Sequence, residues 1–158
     1  MIRHGRVRLL RDEGASFGKG STGWFVGFKL HVRIPASGAI LVSVSTPGNW
    51  PDPAVAPALA EALNGGIAFA DVAYRGEARF ATLAEDGLLV VTPAAAAKNT
   101  RECALISSVH ERIETTFSSL WSRFLDWVLS RSWEGLWSTI KRKTLHYNLC
   151  RAGILPAS

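Results

Sequence analysis

The stretch "WFVGFKLHVRI", residues 24–34, decides the first element of the fold. Apolar and polar side chains alternate along it, which is the period of a β-strand with one buried face. A turn follows in "PASG", residues 35–38, and a second apolar-rich run in "AILVSVSTP", residues 39–47. We therefore predict a β-hairpin over residues 24–47. The apolar side of its first strand carries Val26, Phe28, Leu30, Val32 and Ile34, and the polar side carries Lys29, His31 and Arg33.

A helix with marked ends is predicted after the hairpin, in "NWPDPAVAPALAEALNGG". Asp52 is a suitable N-cap and Pro53 a suitable first helical residue. Gly65 and Gly66 then end the helix. The short apolar run "IAFAD", residues 67–71, is typical of a strand that is covered on both faces.

The rest of the chain is predicted to hold one more strand and three helices. A helix from about Glu77 to Ala84 precedes the strand "GLLVVTP", residues 87–93. From about Cys103 apolar residues recur every three or four positions, as on one face of a long helix. That face carries Ile113, Phe117, Leu120, Trp121, Phe124 and Val128, and a last helix carries Trp133, Leu136, Trp137 and Ile140, with its basic end at residues 141–143. This order predicts a mixed sheet with helices packed on it.

Length and composition are those of an ordinary globular domain. The chain has 158 residues, of which 47% are hydrophobic and 20% charged. Its formal net charge of +5 favours an anionic partner, of which nucleic acid is the commonest. Residues 1–22 are basic and then rich in glycine and serine, so we interpret them as an arm or loop before a single domain of residues 23–158.

Cysteine content and hydropathy predict the compartment. Cys103 and Cys150 are the two cysteines of the sequence, and their spacing fits neither a metal site nor a disulfide framework. The first fifteen residues are basic and lack the apolar core of a signal peptide. The apolar runs are too short to span a bilayer. We therefore expect a cytoplasmic protein with no membrane partner.

Two acidic residues are candidates for chemistry. Asp71 ends a predicted strand, and in open α/β sheets strand ends are where sites are built. Glu114 lies on the predicted long helix, where its neighbour Arg112 could orient a phosphate or the carboxylate itself. An acid at a strand end is also common as a cap or turn residue, and a glutamate on a helix is commonly only solvated. The residues by themselves leave both interpretations open.

Four motifs together resemble one enzyme family. They are "GWFVGFKLHV", "TPGNWPD", "ADVAYRG" and "RIETTFSSL". In this order and at these intervals they are similar to motifs of the DDE transposases of bacterial insertion sequences. The resemblance extends from about Arg8 to Gly153. Four ordered motifs are far more specific than any one of them.

The resemblance implies an RNase H-like fold, with a mixed sheet flanked by helices and a helical C-terminal part. It also implies a site of three carboxylates that holds two divalent ions, magnesium or manganese. In such a site one ion activates the attacking water or DNA 3′-hydroxyl, and the other stabilises the leaving oxygen. By the same resemblance, Asp71 is the second acid and metal ligand, and Glu114 is the third.

The partner that the resemblance implies is double-stranded DNA, both transposon ends and target. Tyr74, Arg75 and Arg112 would position DNA near the metal ions, since arginine suits phosphate. Lys29 and His31 would contact the DNA backbone from the polar side of the hairpin, where cations dominate affinity. The alternative for Lys29 and His31 is an ordinary solvated face.

The chain also departs from the family pattern. The family's first acid lies upstream of the basic stretch with which this chain starts, so we expect an N-terminally truncated transposase without its opening strand. Asp12 is a poor substitute, because its surroundings are typical of a loop. Val72 and Ala73 stand where the family has a lysine and a glycine.

These departures predict that the chain is inactive alone. Ser107, His110 and Trp121 replace a tyrosine, an arginine and a lysine that related enzymes carry around the third acid. A second copy of the chain or an intact transposase would then be a partner. The alternative is a non-catalytic DNA-binding or interaction remnant of an insertion sequence.

Overall fold

The computed structural model divides the chain into two compact units. The first unit comprises Met1–Trp50 and Thr115–Ser158, and the second comprises Pro51–Glu114. The fold class is mixed α/β, with two sheets and several helices. The residues that the structure describes are 11–20, 23–61, 66–70, 81, 83–85, 87–92, 100–120, 122 and 132–156.

A three-stranded antiparallel sheet lies in the first unit, in the order β1-β2-β3. Its strands are β1 (Ser16–Gly20), β2 (Gly23–Arg33) and β3 (Val42–Pro47). The predicted hairpin is confirmed, since β2 and β3 pair from Phe28↔Pro47 to Arg33↔Val42.

The expectation of an arm or loop over residues 1–22 is wrong for β1, which pairs with β2 from Ser16↔Gly27 to Gly20↔Gly23. The glycines give this segment the composition of a loop. The absence of a side chain at Gly18, however, lets the backbone of β1 approach the backbone at Gly48. A Cβ at position 18 would lie 2.6 Å from the carbonyl oxygen of Gly48.

The helix predicted after the hairpin is broken in two. A 3₁₀ turn spans Asp52–Val55, and the short helix α1 spans Ala56–Ala60. Pro57 cannot donate the hydrogen bond that would continue the first turn, so a new helix starts beside it. The prediction of Asp52 as N-cap is wrong, because Pro51 holds that position and no side chain caps the turn.

A two-stranded parallel sheet in the second unit confirms both predicted strands. It pairs β4 (Gly66–Phe69) with β5 (Leu88–Val91). The expected cover on both faces is wrong. Ile67 and Leu89, which are opposite in register, are 65% and 55% exposed. An apolar run shows that a strand is present, but not how many of its faces are covered.

Two long helices complete the described chain. The first, α2 (Thr100–Leu120), confirms the predicted amphipathic helix as far as residue 120. Its buried positions include Ile106, Thr116 and Leu120, while Phe117 is partly exposed. The predicted continuation to Val128 and most of the predicted helix from Glu77 to Ala84 lie outside the described residues.

The last helix, α3 (Trp133–Arg151), has a clear cap at each end. The hydroxyl of Ser132 accepts a hydrogen bond of 3.1 Å from the backbone N–H of Gly135. At the other end Gly153 has a φ of +72°, and the N–H of Ile154 bonds to the carbonyl of Leu149, as in a Schellman motif. The prediction that residues 141–143 form the basic end is wrong, because they lie inside the helix.

The core of the first unit joins the hairpin to the helices. Its buried residues are Ile40, Leu120, Ile140 and Tyr147. The apolar side of β2 packs against this cluster through Leu30 and Val32, as the alternation predicts. Burial of these side chains is the main stabilising term of the unit.

Candidate metal and DNA-binding residues

Asp71, Tyr74 and Arg75 lie outside the described residues, and the described chain stops just before them at Ala70. Ala70 directly precedes Asp71, and its N–H donates a 3.0 Å hydrogen bond to the carbonyl of Val91. The parallel ladder therefore extends one residue beyond β4. Asp71 follows the carboxyl end of a parallel strand in sequence, the position at which α/β proteins build sites.

Glu114 lies on α2 with an exposed side chain. Glu111 is three residues away and therefore lies on the same side of the helix. Arg112 is also exposed, but two residues separate it from Glu114, and side chains at that spacing do not face each other. Arg112 is thus badly placed to orient the Glu114 carboxylate.

The donor chemistry of the two predicted ligands suits a hard divalent cation, since both offer carboxylate oxygens. Asp71 and Glu114 both belong to the second unit. Within the described ranges, no group of three or more histidine, cysteine or acidic residues lies close enough together to hold a metal ion. Of the two predicted ligands, Glu114 is among the described residues, and its carboxylate is exposed.

The two predicted DNA-contacting residues of the hairpin differ in their surroundings. Lys29 is partly exposed, and its Nζ donates a 2.9 Å hydrogen bond to the backbone carbonyl of Trp50. His31 is only 6% exposed, with its Nε2 3.0 Å from Oγ1 of Thr46. The solvated-face alternative is therefore wrong for His31.

Thr46 was missed by the sequence reasoning. It is 4% exposed and is paired with Lys29 in the hairpin register, one diagonal step from His31. The available signal was a pair of polar residues, His31 and Thr46, at diagonal positions on the two strands of the predicted hairpin. The strict alternation of β2 masked it, because it indicated a solvated polar face, whereas His31 and Thr46 on that face are buried.

Comparison with models of protein families matches residues 1–122 to the transposase DDE domain. The chain belongs to this transposase family. Transposases act on DNA, and this family generally uses divalent metal ions. Neither the curated proteins nor the solved structures contain a significant match to the chain.

The matched segment contains every residue that the sequence analysis assigned to the site. Asp71 and Glu114 both lie within residues 1–122, and so does β1, which had been set apart as an arm. The helix α3 lies beyond the match. No helix in the described part of this transposase chain is both long and apolar enough to cross a membrane.

Proposed function

We propose that the chain supplies part of an RNase H-like DDE active site that cleaves and joins DNA strands with the help of two divalent ions. The observation that carries this proposal is the family match, which spans both Asp71 and Glu114. Magnesium or manganese, when bound, activates the attacking oxygen and stabilises the leaving oxygen of a phosphodiester. Asp71 and Glu114 contribute the oxygen ligands.

The same proposal assigns DNA contacts to the cationic residues. Arg112 is exposed on α2 and suits a phosphate of the reacting strand, and Tyr74 and Arg75 follow Asp71 directly in the chain. Lys29 contacts the backbone of duplex DNA. Its ammonium group must then give up its hydrogen bond to the Trp50 carbonyl, or donate to that carbonyl and to a phosphate together. His31 supports the hairpin through Thr46, and its burial leaves the phosphate contact to Lys29.

We further propose that the site needs a carboxylate from elsewhere. Asp12 is exposed in a short helical turn before β1, and not on a strand. An intact transposase would supply this carboxylate and complete the reaction, which occurs in the cytoplasm on transposon ends and target DNA, and a second copy of the chain is a further partner. If no partner supplies the acid, the chain acts as a non-catalytic DNA-binding remnant.

Metal-dependent DNA binding tests this proposal without requiring catalysis. The affinity of the chain for a labelled duplex is measured by fluorescence anisotropy in manganese and in EDTA. Asp71 and Glu114 would hold divalent ions whose positive charge attracts DNA phosphate, so we expect higher affinity in manganese. The logarithm of the binding constant should also fall linearly with the logarithm of salt concentration.

Matched variants separate the metal site from general DNA affinity. Asp71→Asn and Glu114→Gln should abolish the difference between manganese and EDTA. Glu85→Gln, which changes another exposed acid of the second unit, should leave it intact. A difference that survives both site substitutions would show that these acids are not metal ligands.

A further inference from the structure

Two aromatic side chains and a lysine share one face of the β1–β2 pair, the face that further along β2 packs against the core through Leu30 and Val32. Residues opposite each other in an antiparallel pair project to the same side, and the register sets Lys19 opposite Trp24 and Phe17 opposite Val26. Trp24 is 76% exposed and Phe17 is 58% exposed. Phe17 and Trp24 are diagonal neighbours, with Cα atoms about 7–8 Å apart by strand geometry.

Cations accompany both rings. The guanidinium carbon of Arg11 lies 5.8 Å from the centroid of the Phe17 ring, within cation–π range. Lys19 is exposed beside Trp24 on the neighbouring strand. We call this set the aromatic ribbon; it consists of Arg11, Phe17, Lys19 and Trp24.

The opposite face of the same strand pair is fixed to the turn after β3. Gly18 has no side chain, and a Cβ at this position would lie only 2.6 Å from the carbonyl oxygen of Gly48. The hydroxyl of Ser16 donates to Oδ1 of Asn49 at 2.8 Å and accepts from its N–H at 2.9 Å. Backbone packing on the opposite face therefore fixes the strands that carry the aromatic ribbon.

We propose that the aromatic ribbon binds unpaired bases of a DNA strand, and this rests on the proposed DNA function of the chain. Trp24 and Phe17 stack on bases, while Arg11 and Lys19 contact phosphates. Exposed aromatic rings beside cations are the composition of single-strand binding surfaces. In duplex DNA the base faces are already stacked on each other, so the rings require an opened strand, such as a frayed transposon end.

Charge favours DNA over a second copy of the chain as the occupant. A two-fold interface places the same patch on both partners, which would bring Arg11 and Lys19 of two copies together. Like charges at an interface are unfavourable. A single strand offers an anionic backbone for Arg11 and Lys19 and base faces for the two aromatic rings.

The test compares single-stranded and duplex binding. Labelled oligothymidylate of about twenty nucleotides, a length that covers a site of this kind, and its duplex with oligoadenylate are titrated at one salt concentration. We expect Trp24→Ala to weaken single-strand binding by about 5- to 150-fold, the fold-change that corresponds to about 1–3 kcal/mol per stacked base. Phe17→Ala should act in the same direction, and Trp24→Phe should retain most of the affinity.

Controls exclude a general loss of exposed apolar surface. Leu41→Ala removes a side chain that is 59% exposed in the same unit, and it should leave both affinities unchanged. Because Trp24 is so exposed, its substitution should not alter thermal unfolding. Duplex affinity should stay within about twofold of wild type, a change below the energy of one stacked base.

The outcomes distinguish this inference from the proposed function. Duplex binding with no dependence of single-strand binding on Trp24 would overturn the inference and leave the proposed function standing. Failure to bind either DNA would overturn both. If Trp24→Ala and Phe17→Ala lowered self-association in sedimentation velocity while oligonucleotide binding was unchanged, the ribbon would be an interface between copies, and the inference would be wrong.

Discussion

Asn148 joins the last helix to the backbone of the hairpin. Its side-chain oxygen accepts a hydrogen bond from the N–H of Ile40, and its amide donates to the Ile40 carbonyl, both at 2.8 Å. The Asn148 side chain thus provides a hydrogen-bond partner for both backbone groups of Ile40, just before β3, as a neighbouring strand would. Tyr147 adds a hydrogen bond from its hydroxyl to the carbonyl of Gly38.

We predict that Asn148→Ala lowers the free energy of unfolding by about 1–3 kcal/mol, because it removes two hydrogen bonds and leaves partly buried backbone groups unsatisfied. Urea denaturation measures the change. Leu145→Ala on the same helix is the control, since that side chain is 59% exposed and should alter stability by less than about 0.5 kcal/mol. Equal effects of the two substitutions would contradict the role given to Asn148.

At the same scale, His31 shows where sequence reasoning about single residues fails. Alternation correctly placed His31 on the face opposite Leu30, but the exposure of that face depends on distant parts of the chain. The hydrogen bond to Thr46 depends on the register of the hairpin. The sequence predicts the two strands only as ranges, without their register. The position of Glu114 on a helix was easier to predict, because a long amphipathic pattern indicates both the helix and its exposed side.

At the scale of secondary structure, β1 depends on two close contacts at Gly18, one with backbone and one with an aromatic ring. Built on the backbone, a Cβ at Gly18 would lie 2.6 Å from both the Gly48 carbonyl oxygen and the ring of Phe25. At Gly20, on the same strand, the nearest atoms would be 3.9 Å away. The two glycines therefore differ in what they allow, although both belong to β1.

We predict that Gly18→Ala destabilises the first unit by about 1–3 kcal/mol, the usual range for an inserted group that forces packed backbone to shift. Gly20→Ala should be close to neutral. Thermal unfolding of the two variants measures the difference, and hydrogen exchange at β1 amides should increase in Gly18→Ala alone. Similar stability of both variants would show that β1 does not pack on the turn at Gly48.

Elements were predicted well where a periodic pattern was long. The hairpin, β4, β5 and most of the described α2 follow from alternation, apolar runs and helical spacing. The failures have local causes. Glycines made β1 resemble a loop, and Pro57 divided a helix that the flanking signals marked as continuous. The end of α3 depends on Gly153 and lies beyond residues 141–143, which the sequence predicts as its basic end.

The whole molecule is a member of the transposase DDE domain family whose two compact units carry different parts of the proposed function. The second unit contains both predicted ligands, and the first contains the hairpin with Lys29 and the aromatic ribbon. Four sequence motifs were enough to identify the family. The RNase H-like architecture, the missing first acid and the truncated N-terminus stay predictions.

Metal binding measured by calorimetry tests the central claim most directly. Magnesium and manganese are titrated into the purified chain, into Asp71→Ala and into Glu114→Gln, with Glu85→Gln as the matched acidic control. The account predicts binding by wild type and by the control, and its loss in both site variants, because each removes a carboxylate that the ions require. Indistinguishable titrations of wild type and Asp71→Ala would contradict the account, and Asp71 would then be an ordinary strand-end residue.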